Sequence, residues 1–171
     1  MAKKIMAWRK CSIRIGKSVG FTMPTETLTS IGTIKDKSST LDPEDGDTLE
    51  MKESGGGTVA FEESEGSVVL TTRVIEPTFD LLALLGLGEK SGDNDFDVKT
   101  HIVEGDWAVE VEPKNVGARG FRCPAAHVSY NPGWSEEDGN YAHITIRFLH
   151  DEEADRWYTM WTKQAKAAQP A

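Results

Sequence analysis

Residues 141–149 read YAHITIRFL, with Ile144, Ile146 and Phe148 at every second position and His143, Thr145 and Arg147 between them. Successive side chains of a strand point to opposite faces, so this period of two marks a half-buried β-strand. Cys11, Ile13 and Ile15 repeat the pattern near the start, as do Trp107, Val109 and Val111 farther on. The same reasoning predicts strands over 5–15, 30–36, 48–53, 57–63, 67–76, 96–104, 107–112, 121–130 and 141–149. Between them stand turn signals: Gly55-Gly56-Gly57, Glu65-Gly66, Gly92-Asp93-Asn94, Glu104-Gly105-Asp106, Asn131-Pro132-Gly133 and Asp138-Gly139-Asn140. Strands spaced by such turns form antiparallel hairpins, and the predicted class is an all-β sandwich or barrel.

One helix interrupts the strands. Glu76-Pro77-Thr78-Phe79-Asp80 reads as a helix start, with Asp80 facing the positive end of the dipole, and Gly86 and Gly88 end it. Its residues are apolar nearly all round, so Phe79, Leu82 and Leu85 are expected to need cover from a neighbouring subunit. After the acidic run 151–155, Trp157 and Trp161 fit helical spacing, while Trp157, Thr159 and Trp161 fit one strand face; a final strand is favoured. Residues 164–171 read as a frayed tail.

A chain of 171 residues fits one domain with its own core, taken here as 1–171. Its longest apolar run, 79–87, is about half a membrane span, and the basic start lacks the apolar stretch of an export signal, so a cytoplasmic origin and no membrane are expected. Charge is unevenly placed: Lys3, Lys4, Arg9, Lys10, Arg14 and Lys17 give residues 1–25 a formal +6, leaving 13 bases against 28 acids, or −15, on the other 146. An acidic body disfavours general nucleic-acid binding, because backbone affinity comes from bases that displace counterions. The basic segment is instead a candidate contact, through Lys3, Lys4, Arg9 and Lys10, with the acidic body of a neighbouring copy.

Candidate chemistries compete with plainer readings. Cys123 and His127, four apart on one predicted strand, could be half a zinc site, but four ligands are needed and no second close pair recurs. Packing Cys and surface His is preferred, and Cys11 with Cys123 reads as two reduced thiols. His101, His143 and His150 read as solvent-facing. GLGEKSG at 86–92 lacks the glycine before Lys90 that a phosphate loop requires and reads as a helix cap and turn. Neither Asp42, Glu44, Asp45, Asp47 and Glu50 nor Asp93, Asn94, Asp95 and Asp97 match a calcium loop, and both read as solvated turns. Asp106, Glu110 and Glu112 could frame a glycosidase carboxylate pair, yet same-face acids more often make a wet negative surface. No catalytic, metal or cofactor constellation is expected.

Taken in series, IGTIKDKSSTLDPEDGDTLEMKESGG (31–56), GTVAFEESEGSVVLTTRVIE (57–76), PTFDLLALLGL (77–87), GFRCPAAHVSY (120–130) and YAHITIRFL (141–149) resemble the major tail tube proteins of long-tailed bacteriophages. Those share a fold with the type VI secretion tube protein. The resemblance covers most of the chain and implies a β-sandwich or barrel with one flanking helix and a long early inter-strand loop. It further implies self-assembly into rings, typically of six, stacked into a hollow virion tail through which DNA passes unbound. Tape measure, sheath or baseplate components would be partners, and no reaction would be catalysed. An acidic wall suits passage of a phosphate polymer.

Residues 37–47 are read as an extended acidic loop, too polar to pack on its own core, with Asp42, Glu44, Asp45 and Asp47 reaching the adjacent ring. The triple glycine after it reads as a hairpin joint between TLEMKES and TVAFEE. Two alternatives stand beside the tube: another tail or secretion-tube component, and a carbohydrate-binding β-sandwich using Trp107, Trp134, Tyr130 or Trp157 as a stacking platform.

Overall fold

The computed structural model describes residues 11–24, 28–46, 48–52, 54–56, 58–63, 66–98 and 105–164. The strands in chain order are β1 (Cys11–Lys17), β2 (Thr29–Ser30), β3 (Thr33–Ile34), β4 (Thr40–Glu44), β5 (Thr48–Lys52), β6 (Thr58–Glu63) and β7 (Ser67–Ile75). Helix α1 (Phe79–Leu84) follows, then β8 (Gly88–Lys90), β9 (Phe96–Val98), β10 (Asp106–Pro113), β11 (Arg119–Ser135), β12 (Gly139–Phe148) and β13 (Thr159–Thr162). The fold is all-β and antiparallel, as the alternation predicts.

The main sheet runs β2-β1-β10-β11-β12-β7-β3, with β4 added to β7 and β13 to β11. Its two ends are one piece of chain. Thr29 and Ser30 pair with Ile15 and Arg14 on β1, while Thr33 and Ile34 pair with Ile75 and Val74 on β7. Ile31 between them donates its N–H to Ile13 O at 3.0 Å and is wholly buried. The predicted strand 30–36 is therefore two short strands crossing a seam, and the sheet curls into a closed barrel. Gly32, at φ 96°, makes the crossing in a conformation that an L side chain rarely adopts.

The alternating residues meet inside. Ile13 and Ile15 stand opposite Val111 and Val109, Val128 opposite Ile146, and Ile144 and Ile146 opposite Thr72 and Leu70, all of them buried. Closing the barrel leaves β4 and β13, each paired on one side only, as the lateral strands of the sheet. Strand β11 is longer than predicted, because the Asn131-Pro132-Gly133 turn signal lies within it. Glu76 N–H bonds Asn140 O, so even-numbered residues of β12 bond toward β7 and odd-numbered ones toward β11. Pro132, opposite Ala142, thus turns its nitrogen to the open side and costs the ladder nothing. The final strand over 156–163 is present as β13.

The helix corrects an expectation. Thr78 caps it, its Oγ1 accepting from Leu81 N at 3.3 Å. Leu81, Leu82, Leu85 and Leu87 are all buried in the chain's own core. On the other side, the β8–β9 hairpin covers the helix, with Phe96 stacked on Phe79 at 5.4 Å between ring centroids. With Leu82 at 8% and Leu85 at 2% exposure, neither has surface left to offer a neighbouring subunit. The all-round apolar pattern reflects two intrachain layers. Residues 88–90, read as part of a turn, form β8 instead.

Candidate functional site

Segment 37–47 is not the free loop expected. Its middle, Thr40–Glu44, is the strand β4, paired with β7 from Thr40↔Thr71 to Glu44↔Ser67. Asp42 and Glu44 are exposed on that edge strand, with Ser67 Oγ donating to Glu44 Oε2 at 2.9 Å. Asp45 is exposed just beyond it, and Asp47 lies outside the described residues. Pairing overrides polarity here, because Leu41 faces the buried Leu70 and supplies one apolar contact toward the core.

What does stand away is the next element. Strands β5 and β6 form a separate two-stranded sheet around the glycine turn, as the hairpin reading expects, with Gly56 at φ 87°. Glu50, Met51, Lys52 and Ala60 are exposed, Met51 at 69%. The ribbon springs from one point on the barrel: a Cβ on Gly66 would lie 3.3 Å from Gly46 N. Residues 48–63 hold Glu50, Glu53, Glu62 and Glu63 against Lys52, a formal −3.

Of the carboxylates weighed as a catalytic pair, Glu110 and Glu112 are consumed in ion pairs, and Asp106 is exposed at the start of β10. In register across three strands, Arg14, Glu110 and Arg122 line up on the outer face. Glu110 is buried, bonded by Arg14 and by Arg122 Nε at 2.6 Å. Arg14 Nη2 also reaches Glu112 at 2.8 Å, and Lys163 Nζ reaches the other oxygen at 2.7 Å. Arg122 lies over the Trp161 ring, 4.5 Å from its centroid. Glu110 is therefore not part of a wet negative surface, and Glu110 and Glu112 are not a free carboxylate pair. A second cluster pins the β11–β12 turn: Asp138 accepts from Lys35 Nζ at 2.8 Å and Arg73 Nη2 at 3.0 Å, while Arg73 also covers the Tyr141 ring.

These pairs set an acid limit on stability. The hydrogen bond from Lys163 holds Glu112 below the ordinary carboxylate range, and that from Lys35 does the same for Asp138. A carboxyl whose folded pKa is depressed contributes stability in full above its unfolded pKa, near 4, and loses it as pH falls through the folded value. Thermal melts should therefore be level between about pH 7 and pH 5 and fall below about pH 4. The double variant Glu112→Gln, Asp138→Asn should start lower at pH 7 and lose less on acidification; an acid slope equal to the parent's would contradict these assignments.

The remaining candidates are dispersed. Cys123 is buried with its thiol pushed up to about 11 by burial, whereas His127 is exposed. The register shift between Trp107 and Val109 puts them on opposite faces, so the spacing of four does not bring them together. Cys11 is half-buried and reduced. His143 faces outward as expected; His150 does not, being half-buried on Trp157 with Nε2 3.3 Å from Asp155. Trp107 is a core residue and Trp134, at 65% exposure, sits by the far turn opposite Asn140, so they make no common stacking platform. Asp93, Asn94, Asp95 and Asp97 are exposed around the β8–β9 turn, and among the described residues no group of three or more His, Cys, Asp or Glu could hold a metal. Lys3, Lys4, Arg9, Lys10 and His101 lie outside the described residues. No described helix is long and apolar enough to cross a membrane.

No family model matches this chain, and no curated protein matches it. A solved structure titled as the sheath/tube terminator of an extracellular contractile injection system, PVC, in the extended state is similar at TM-score 0.42 and 10% identity. The match covers 95% of this chain and 100% of that one. A likeness at this level fixes no function.

Proposed function

We propose that this chain is a structural, self-assembling tail tube protein, forming stacked rings around a DNA-conducting lumen in a virion tail. The observation that carries the reading is the acidic ribbon β5–β6, which pairs with no other described strand of its own chain. An isolated two-stranded hairpin is marginal in water and needs a third strand or a packed face. Among the described residues a single copy supplies neither, and a neighbouring copy would. The ion-paired carboxylates and dispersed histidines favour a scaffold over an enzyme, and the acidic body suits a lumen that DNA slides through. Other tail components, such as tape measure, sheath or baseplate proteins, would then meet the ends or the outside of the tube.

Light scattering across a concentration series tests this directly. Self-assembly gives masses rising in multiples of 18.8 kDa. A mass fixed at the monomer at every concentration and salt condition would overturn the proposal.

A further inference from the structure

The sheet has two lateral strands whose outer sides are differently built. On β7, Lys35 N–H bonds Arg73 O, so odd-numbered residues of β7 bond toward β3 and β4. Thr40, Asp42 and Glu44 therefore take the ladder, opposite Thr71, Val69 and Ser67, while Leu41 and Pro43 turn outward. Pro43 has no N–H to offer, and Asp42 and Glu44 flank it with charge. Both devices blunt an edge against further pairing.

Among the described residues, strand β13 carries no such protection. Gly117 N–H bonds Lys163 O and Lys163 N–H bonds Ala118 O, so the odd-numbered residues of β13 face β11. Met160 and Thr162 point their N–H and C=O groups away from the barrel, and both residues are exposed, Met160 at 54%. Lys163 at the end of this strand is paired with Glu112 and Arg156 before it with Asp151. Arg119, exposed opposite Thr162, adds a positive charge beside the edge, opposite in sign to the ribbon.

We infer that the open edge of β13 receives the β5–β6 ribbon of a second copy of this chain as an added pair of strands. The inference rests on the self-assembly reading and names its contact. Backbone hydrogen bonds supply the attachment, and the exposed Arg119 beside the edge meets the −3 ribbon with opposite charge. One patch meets a different patch, so the contact is heterologous and propagates into a ring or a filament. The blunted β4 edge keeps the ribbon from adding on the wrong side.

Disulfide trapping tests it in full-length protein with Cys11→Ser. Copies carrying Met160→Cys are mixed with copies carrying Glu50→Cys, Met51→Cys, Lys52→Cys or Ala60→Cys, the set covering the possible registers. At least one mixture is expected to give a crosslinked dimer, reversed by reductant, that neither partner gives alone. Met160→Pro, which deletes only an outward N–H, is expected to keep the parent's melting curve and lose assembly. If rings form with no crosslink in any mixture and Met160→Pro assembles normally, the β13 contact is wrong while self-assembly stands. If no copy assembles or crosslinks, both fall.

Discussion

Removing residues 47–65 and joining Gly46 to Gly66 through two glycines is expected to leave a folded barrel that stays monomeric. The two ends already touch, with Gly46 N 3.3 Å from where a Cβ on Gly66 would lie, so the join asks little of the backbone. Glu44 and Ser67 remain paired, which turns β4 and β7 into a short hairpin. Among the described residues, none of the core lies in the deleted stretch, so the melting temperature should move by no more than about 2 °C, the scale of surface changes. Assembly should be lost, since the ribbon is the element without an intrachain partner. Deleting 38–46 makes the informative contrast. It strips β4 from β7 and uncovers the Leu70 side of the barrel, so that variant should be destabilised as well as unassembled. Assemblies as large as the parent's from the ribbonless protein would refute its role.

Ile31→Ala is expected to cost about 3 kcal/mol, within the range for truncating a buried Ile, and to lower the melting temperature by roughly 10 °C. Ile31 is the one residue between β2 and β3 whose side chain fills the barrel where β1 and β7 are bridged. Loss of its side chain leaves a cavity at the seam, which has only two paired residues on each side to hold it closed. Gly32→Val should add a separate backbone cost of about 1–2 kcal/mol, because Gly32 sits at φ 96°. Chemical denaturation of both variants checks the pair. A cost for Ile31→Ala below about 1 kcal/mol, the level of surface changes, would mean the seam is not part of the core.

Much of the barrel was legible because several of its strands alternate. In 141–149 and 107–112 the apolar residues that recur at every second place fill the interior. What escaped prediction depends on partners rather than on local pattern. β4 is an acidic, proline-containing stretch that becomes a strand only because β7 offers it an edge. The segment 30–36 looks like one strand, and only Gly32's positive φ divides it between two sides of the barrel. A bulge at Pro124 and Ala125, opposite Ala108, separates Cys123 from His127. Glu110 becomes neutralised because β1 and β11 flank β10 in register, an adjacency absent from the linear sequence. The acidic stretch before the glycines holds the paired strand β4, and the separate two-stranded sheet is the ribbon after Asp47. The helix leucines pointed the other way, since their apparent excess is absorbed by the chain's own core and β8–β9.

Negative-stain electron microscopy of the concentrated, full-length protein bears most directly on the central claim. Rings with an open centre, stacked into hollow tubes at higher concentration, are the predicted result. A field of separate particles of monomer size under every condition would contradict it.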